Sequence, residues 1–246
     1  MTDGVAVSGA QPADQNWAWW PLLPLYPFGR RRTLRRELVP GHIWSFEQLQ
    51  GVFFVAVPIR MTAVKLKAGL LLYAPVAATA ECIALVRELE AEHGPVLSIV
   101  HPTSSGLEHK VGVPAMARAF PIADVWVTPG QWSFPLPLPL SWLGFPARRT
   151  KVLFEDGVPH GDELHWEQLG PLPLGPGPFC EATVLHQAIS AEQGAAAVMQ
   201  DGGLTERARP KGQRTELLPM QFVAMGNPII EQHLGTPCWK AEPTER

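Results

Sequence analysis

A chain of 246 residues suffices for one domain of ordinary size with extensions, or for two small ones, and either can bury a core. Its 46% hydrophobic and 17% charged content describe a globular protein, and a formal net charge of -3 excludes a global attraction to nucleic acid or anionic membrane. Three widely spaced cysteines, Cys82, Cys180 and Cys238, form no C-x-x-C pair and point to a reducing compartment.

The first 16 residues are small and polar, which predicts disorder. MTDGVAVSGAQPADQ has neither the basic start nor the apolar core of a secretory signal, and two Asp without an Arg argue against a transit peptide. In WAWWPLLPLYPF, residues 17–28, the prolines forbid a helix and the bulky apolar groups forbid free solvation, so an extended arm on the domain is predicted. Arg30–Arg36, RRRTLRR, reads as a solvated basic face rather than a phosphate or headgroup contact. The richest apolar run, Gly51–Ile59, is strand length, far short of the ~20 residues a membrane-spanning helix needs, so a soluble protein without a transmembrane segment is expected.

From Val52 the pattern sharpens. VFFVAV is strand-like and interrupted by Pro58, and MTAVKLKAGLLLYA holds two strands about a Lys67-Ala68-Gly69 turn. Thr79 stands as an N-cap before AECIALVRELEAEHG, where Cys82, Leu85, Val86 and Leu89 repeat at helical spacing and Gly94 ends the helix. Val96–Val100 reads as a buried strand, HPTSSGLEH as a loop, KVGVPAMARAF as a helix near Pro114, and Asp124–Thr128 as the next strand. The order β-β-α-β-α-β implies a parallel crossover and one α/β domain over about residues 52–186. Nine Trp and 26 Pro place much of the packing in stiff loops. PGQWSFPLPLPLSWLGFPARR is one such loop, predicted to be pinned over the sheet with Trp132 and Trp142 as anchors. Strand-like segments return at 151–154, 164–169 and 179–186. Beyond Gln187 the periodicity is lost, so residues 188–246 are expected to be unpacked, with Leu217–Met225 the one segment suited to docking.

Several long segments carry a resemblance: LYAPVAATAECIALVRELEAEHGPV, PTSSGLEHKVGV, FPIADVWVTPGQWSFPLPLPLSWLGFP and LGPLPLGPGPF, joined by WPLLPLYPFGRRRTLRREL and IWSFEQLQGVFFVAVPIRMTAVKL. Over about residues 19–187 the chain resembles a family of unknown function from photosynthetic lineages (cyanobacteria, algae and plants) that is similar to metallo-β-lactamase-fold proteins. The resemblance implies an α/β (α+β) fold, an αββα sandwich incomplete in its C-terminal half, and a chloroplast location, with the cytoplasm as the alternative. With the composition of the two ends, the expected organisation is an N-terminal arm rich in Pro, Trp and Arg (1–40), a partial metallo-β-lactamase-like domain (41–187) and a disordered tail (188–246).

Enzymes of that fold carry H-x-H-x-D-H after a buried strand, because clustered metal ions need imidazole and carboxylate ligands converging from one turn. This chain has S-S-G-L-E-H, which sets Glu108 and His109 on the final Asp-His and leaves Ser104 and Gly106 in place of the two histidines. A serine hydroxyl is a poor neutral substitute for imidazole, and Gly has no side chain to ligate. The fold's later ligands would fall beyond Gln187 and have no counterpart. His101, Glu108 and His109 remain as ligands for a single divalent metal, zinc or iron, with Glu181 as an accessory. Against this, Glu108 and His109 read more readily as caps of the following helix, where a carboxylate is favoured by the N-terminal dipole. HGDELH, His160–His165, reads as an exposed acidic loop. No G-x-S-x-G, Walker or G-x-G-x-x-G motif supports nucleophile or nucleotide chemistry.

Three readings follow. The first is a non-catalytic binding or scaffold protein without a cofactor, whose aromatic loop (Trp132, Phe134, Trp142, Phe145) covers the former site or meets a protein partner. The second is a mononuclear metal-dependent hydrolase using His101, Glu108 and His109. The third is a truncated or aberrantly spliced product of a family member, since the pattern breaks at Gln187.

Overall fold

The residues on either side of position 53 fold back as one long antiparallel pair. β3 (Ile43–Val52) and β4 (Val55–Lys65) run in register from Ile43↔Val64 to Val52↔Val55. The computed structural model describes residues 25–26, 32–52, 55–104, 107–133, 138–173, 177–186, 195–200 and 203–208. On the other edge of β3 lie β1 (Leu25–Tyr26) and β2 (Leu34–Val39), so the predicted arm contributes strand to the sheet. Pro58 does not interrupt β4. The β5 ladder covers only Thr62–Lys65, so the segment around Pro58 pairs with β3 alone and needs no second donor.

The turn at residues 67–69 returns the chain as β5 (Leu70–Tyr73), the predicted hairpin. α1 (Ala80–His93) starts where Thr79 Oγ1 accepts the Cys82 N–H at 3.1 Å, and it buries Cys82, Leu85, Val86 and Leu89. β6 (Val96–His101) then lies parallel to β5. The second crossover is broken into α2 (Leu107–Lys110) and α3 (Val113–Ala119), with Pro114 in the first turn of α3, and leads to β7 (Asp124–Val127), parallel to β6. β8 (Thr150–Val152) continues the parallel half.

A second, antiparallel sheet is formed by β9 (Leu164–Leu172), β10 (Phe179–His186), β11 (Ala195–Gln200) and β12 (Gly203–Ala208), in the order β12-β11-β10-β9. β11 and β12 fall inside the span 188–246. Leu217–Met225 lies outside the described residues.

Two cores sit on opposite faces of the large sheet. On one, α1 and α3 pack Val86, Leu89, Val113 and Met116 against Phe46, Met61, Leu72, Ile99 and Val125. On the other, Leu71, Tyr73, Val100 and Trp126 meet Leu164, Trp166, Ala182 and Val184 of the second sheet, and the Tyr73 hydroxyl donates across the gap to Ala182 O at 2.5 Å. Burial of each large side chain contributes roughly 1.5–3 kcal/mol. The described residues therefore build three layers of an αββα sandwich (helix, sheet, sheet), a mixed α/β architecture dominated by sheet. Among them no helix is long and apolar enough to cross a membrane.

Candidate functional site

Parallel strands expose the ends of their backbones at one carboxyl edge, where connecting loops of α/β folds place ligands. At that edge β6 ends on His101, Thr128 N donates to His101 O at 3.2 Å, and Ala74 N after β5 donates to Val100 O at 2.9 Å. The segment that follows His101, residues 102–104, is buried. It crosses to the second sheet, where Ala182 N donates to Pro102 O at 2.7 Å, Ser104 N donates to Cys180 O at 2.9 Å, and Thr103 pairs opposite Glu181.

Ser104 is fully engaged in this crossing. Its hydroxyl donates to Pro178 O at 2.8 Å and accepts the Cys180 N–H at 2.9 Å, while its carbonyl accepts from Trp132 N at 3.0 Å. The same carbonyl accepts from Lys110 Nζ at 3.0 Å, and Lys110 Nζ also donates to Trp132 O at 2.7 Å. Lys110 has no exposed surface and joins the loops after β6 and β7 at one point. Burial lowers its pKa from 10.5 to about 8, so at neutral pH the ammonium is the prevailing form.

His101 is wholly buried, and neither ring nitrogen has a hydrogen-bond partner among the described residues. Burial, then the charge of Lys110, then His109 hold its pKa well below the ordinary imidazole value, which keeps it neutral. His109, also buried, is oriented by Nδ1 at 3.1 Å from Pro75 O, and its Nε2 has no hydrogen-bond partner among the described residues. Gly112 allows this approach, since a Cβ there would stand 2.6 Å from Val76 O. Glu108 is half-buried in the short α2 and Glu181 is fully buried on β10. α3 has no side-chain cap at its start, so Glu108 and His109 do not cap it.

The predicted ligands thus separate into buried imidazoles and a half-exposed carboxylate. Among the described residues no three His, Cys, Asp or Glu side chains come together to hold a metal ion. Two imidazoles could each offer a nitrogen, but the neighbouring ammonium opposes a second cation and the Ser104 hydroxyl is already bonded to Pro178 O and Cys180 N. The donor set does not fit a resident metal.

The aromatic loop is pinned differently from expectation. Trp132 is held by its backbone bonds to Ser104 and Lys110, and its ring lies against Gly177. Trp142 is 77% exposed and is not an anchor. A turn with Trp142 N on Pro139 O and Phe145 N on Leu140 O swings Trp142 outward and sends Leu140, Leu143 and Phe145 into the helix-side core. Phe145 is therefore core rather than surface, and Phe134 lies outside the described residues.

HGDELH sits elsewhere, on the β4–β5 turn. Glu163 accepts from Lys67 N at 2.9 Å, Asp162 lies 3.9 Å from Lys67 Nζ, and His160 Nε2 is 2.9 Å from Ser98 Oγ. The basic run is bound to α1 where it is described: Arg35 donates to Leu85 O at 3.0 Å and meets Glu88 at 2.8 Å, and Arg32 lies 3.9 Å from Glu81. Sequence reasoning missed Lys110, whose one signal is a lone charge entering the apolar run Val111–Ala117.

A family model described as "Domain of unknown function (DUF4336)" matches residues 40–191. No curated protein matches. Among solved structures the chain is similar to DIM-1 metallo-β-lactamase exposed to ceftazidime, with TM-score 0.43 and 15% identity over 63% of this chain and 65% of that one. It is also similar to the metallo-β-lactamase FIM-1 from Pseudomonas aeruginosa in its mono-zinc form, with TM-score 0.41 and 12% identity over 62% of this chain and 63% of that one. The chain spans just under two thirds of the length of either.

Proposed function

The chain belongs to the DUF4336 family, and on that footing we propose that it is a non-catalytic scaffold or binding protein whose former metal site has become part of the core. The observation that carries this reading is the engagement of Ser104: every polar atom of that residue is bonded within the protein, across the two sheets and to the loop after β7. A residue committed in this way supports sandwich packing. The exposed Trp142, on a turn fixed from beneath by Phe145, supports a protein partner at that point, since an exposed aromatic on a rigid base suits an interface anchor. A chloroplast location rests on the resemblance to proteins of photosynthetic lineages and is tested by organelle fractionation.

A mononuclear metal-dependent hydrolase is the second reading, favoured by the ring nitrogens of His101 and by His109 Nε2, buried without hydrogen-bond partners among the described residues. Turnover of ester, lactam and phosphodiester substrates by the purified full chain, with zinc or ferrous iron added, separates the two. The scaffold reading expects rates equal to buffer. Metal-dependent turnover that disappears in His109→Ala would put the hydrolase first.

A further inference from the structure

We propose that the Lys110 ammonium is a built-in cation that takes the place of a metal ion in this site, tying its loops together and keeping His101 and His109 free of metal. The inference deepens the scaffold reading and rests on it. It begins from the place of Lys110: no exposed surface, on the short helix α2, with Nζ at 3.0 Å from Ser104 O and 2.7 Å from Trp132 O. Those carbonyls belong to the loops that leave β6 and β7, and Trp132 N closes the same junction on Ser104 O at 3.0 Å. One positive charge therefore cross-links two loops at the carboxyl edge of the sheet, the mechanical task of a metal bound between loops.

The second observation is independent of that junction. Three buried ring nitrogens, both of His101 and Nε2 of His109, have no hydrogen-bond partner among the described residues. Imidazole nitrogens in this state are good ligands for a divalent cation. A like charge within electrostatic reach of His101 works against such an ion, and Lys110 is that charge. A Lys is also suited to the exchange chemically, because it needs no deprotonated ligand and is satisfied by neutral carbonyls.

The test is cobalt(II) titration of the purified full chain, read by visible absorption and by competition with zinc. Wild type is expected to show no saturable binding. Lys110→Gln, which keeps a donor without the charge, is expected to bind cobalt at least tenfold more tightly, and His109→Ala in that background to abolish the gain. Lys110→Arg, which keeps the charge, should bind no better than wild type. Lys110→Met serves if Lys110→Gln does not fold. Saturable cobalt binding by wild type, or a neutral variant that folds and binds no better than wild type, overturns the inference. The scaffold reading fails separately: hydrolysis by metal-free wild type would sink it alone, and metal binding by wild type without hydrolysis would sink only the built-in cation.

Discussion

At the amino-terminal end of the parallel strands, Lys67 meets Asp162 in solvent and Lys151 meets Asp124 half-exposed, whereas at their carboxyl end Lys110 lies fully buried between two backbone carbonyls. The chemical groups are similar and their consequences are not. A solvated pair is screened and must immobilise two long side chains, so it contributes little. A buried ammonium that bonds two carbonyls strengthens its bonds through the low local dielectric, and removing it takes a donor from each. The comparison teaches that charge at one end decorates the fold, while at the other it determines how the loops cross.

The largest effect that sharpens this contrast is expected from Lys110→Met. Loss of the donor to Trp132 O and of one donor to Ser104 O should destabilise the protein by about 3 kcal/mol in urea unfolding. No loss would make the two ends equivalent. Next comes Ser104→Ala, which removes the acceptor for Cys180 N and the donor to Pro178 O and should cost about 2 kcal/mol. Acid should act comparably through His101. Its folded pKa lies well below 6.5, so below about pH 6.5 the unfolded chain binds a proton that the folded chain refuses, and stability falls as pH drops. The slope approaches at most about 1.4 kcal/mol per pH unit and should flatten in His101→Leu. Burial also lowers the pKa of His160 and His186, but both remain in the variant, so the difference reads His101. At the other end, Lys67→Ala should shift stability by less than about 0.5 kcal/mol.

The same division explains what could be read in advance. α1 was legible because cap, apolar period and terminal glycine agree: Thr79, Cys82, Leu85, Val86, Leu89 and Gly94 all take their predicted places. β5, β6 and β7 were legible because strands buried on both faces are continuous apolar runs. β2 and most of β3 were not, since β3 buries Ser45 and Gln48 and so breaks apolar alternation. Gln48 acts as a backbone surrogate, bonding Ala77 O at 2.8 Å, Ala77 N at 3.2 Å and Thr33 Oγ1 at 3.0 Å. At the site, the burial of His101 and His109 and the place of Lys110 were not legible, because a lysine reads as solvated unless its acceptors are known. The outward side chain of Trp142 was not legible, because bulk alone does not say which way a turn will point it.

Metal content of the full chain, purified without added metal, tests the central claim most directly. A core closed by its own cation predicts far less than one equivalent of zinc, iron or manganese in wild type. Stoichiometric metal in wild type, lost in His109→Ala, would contradict it.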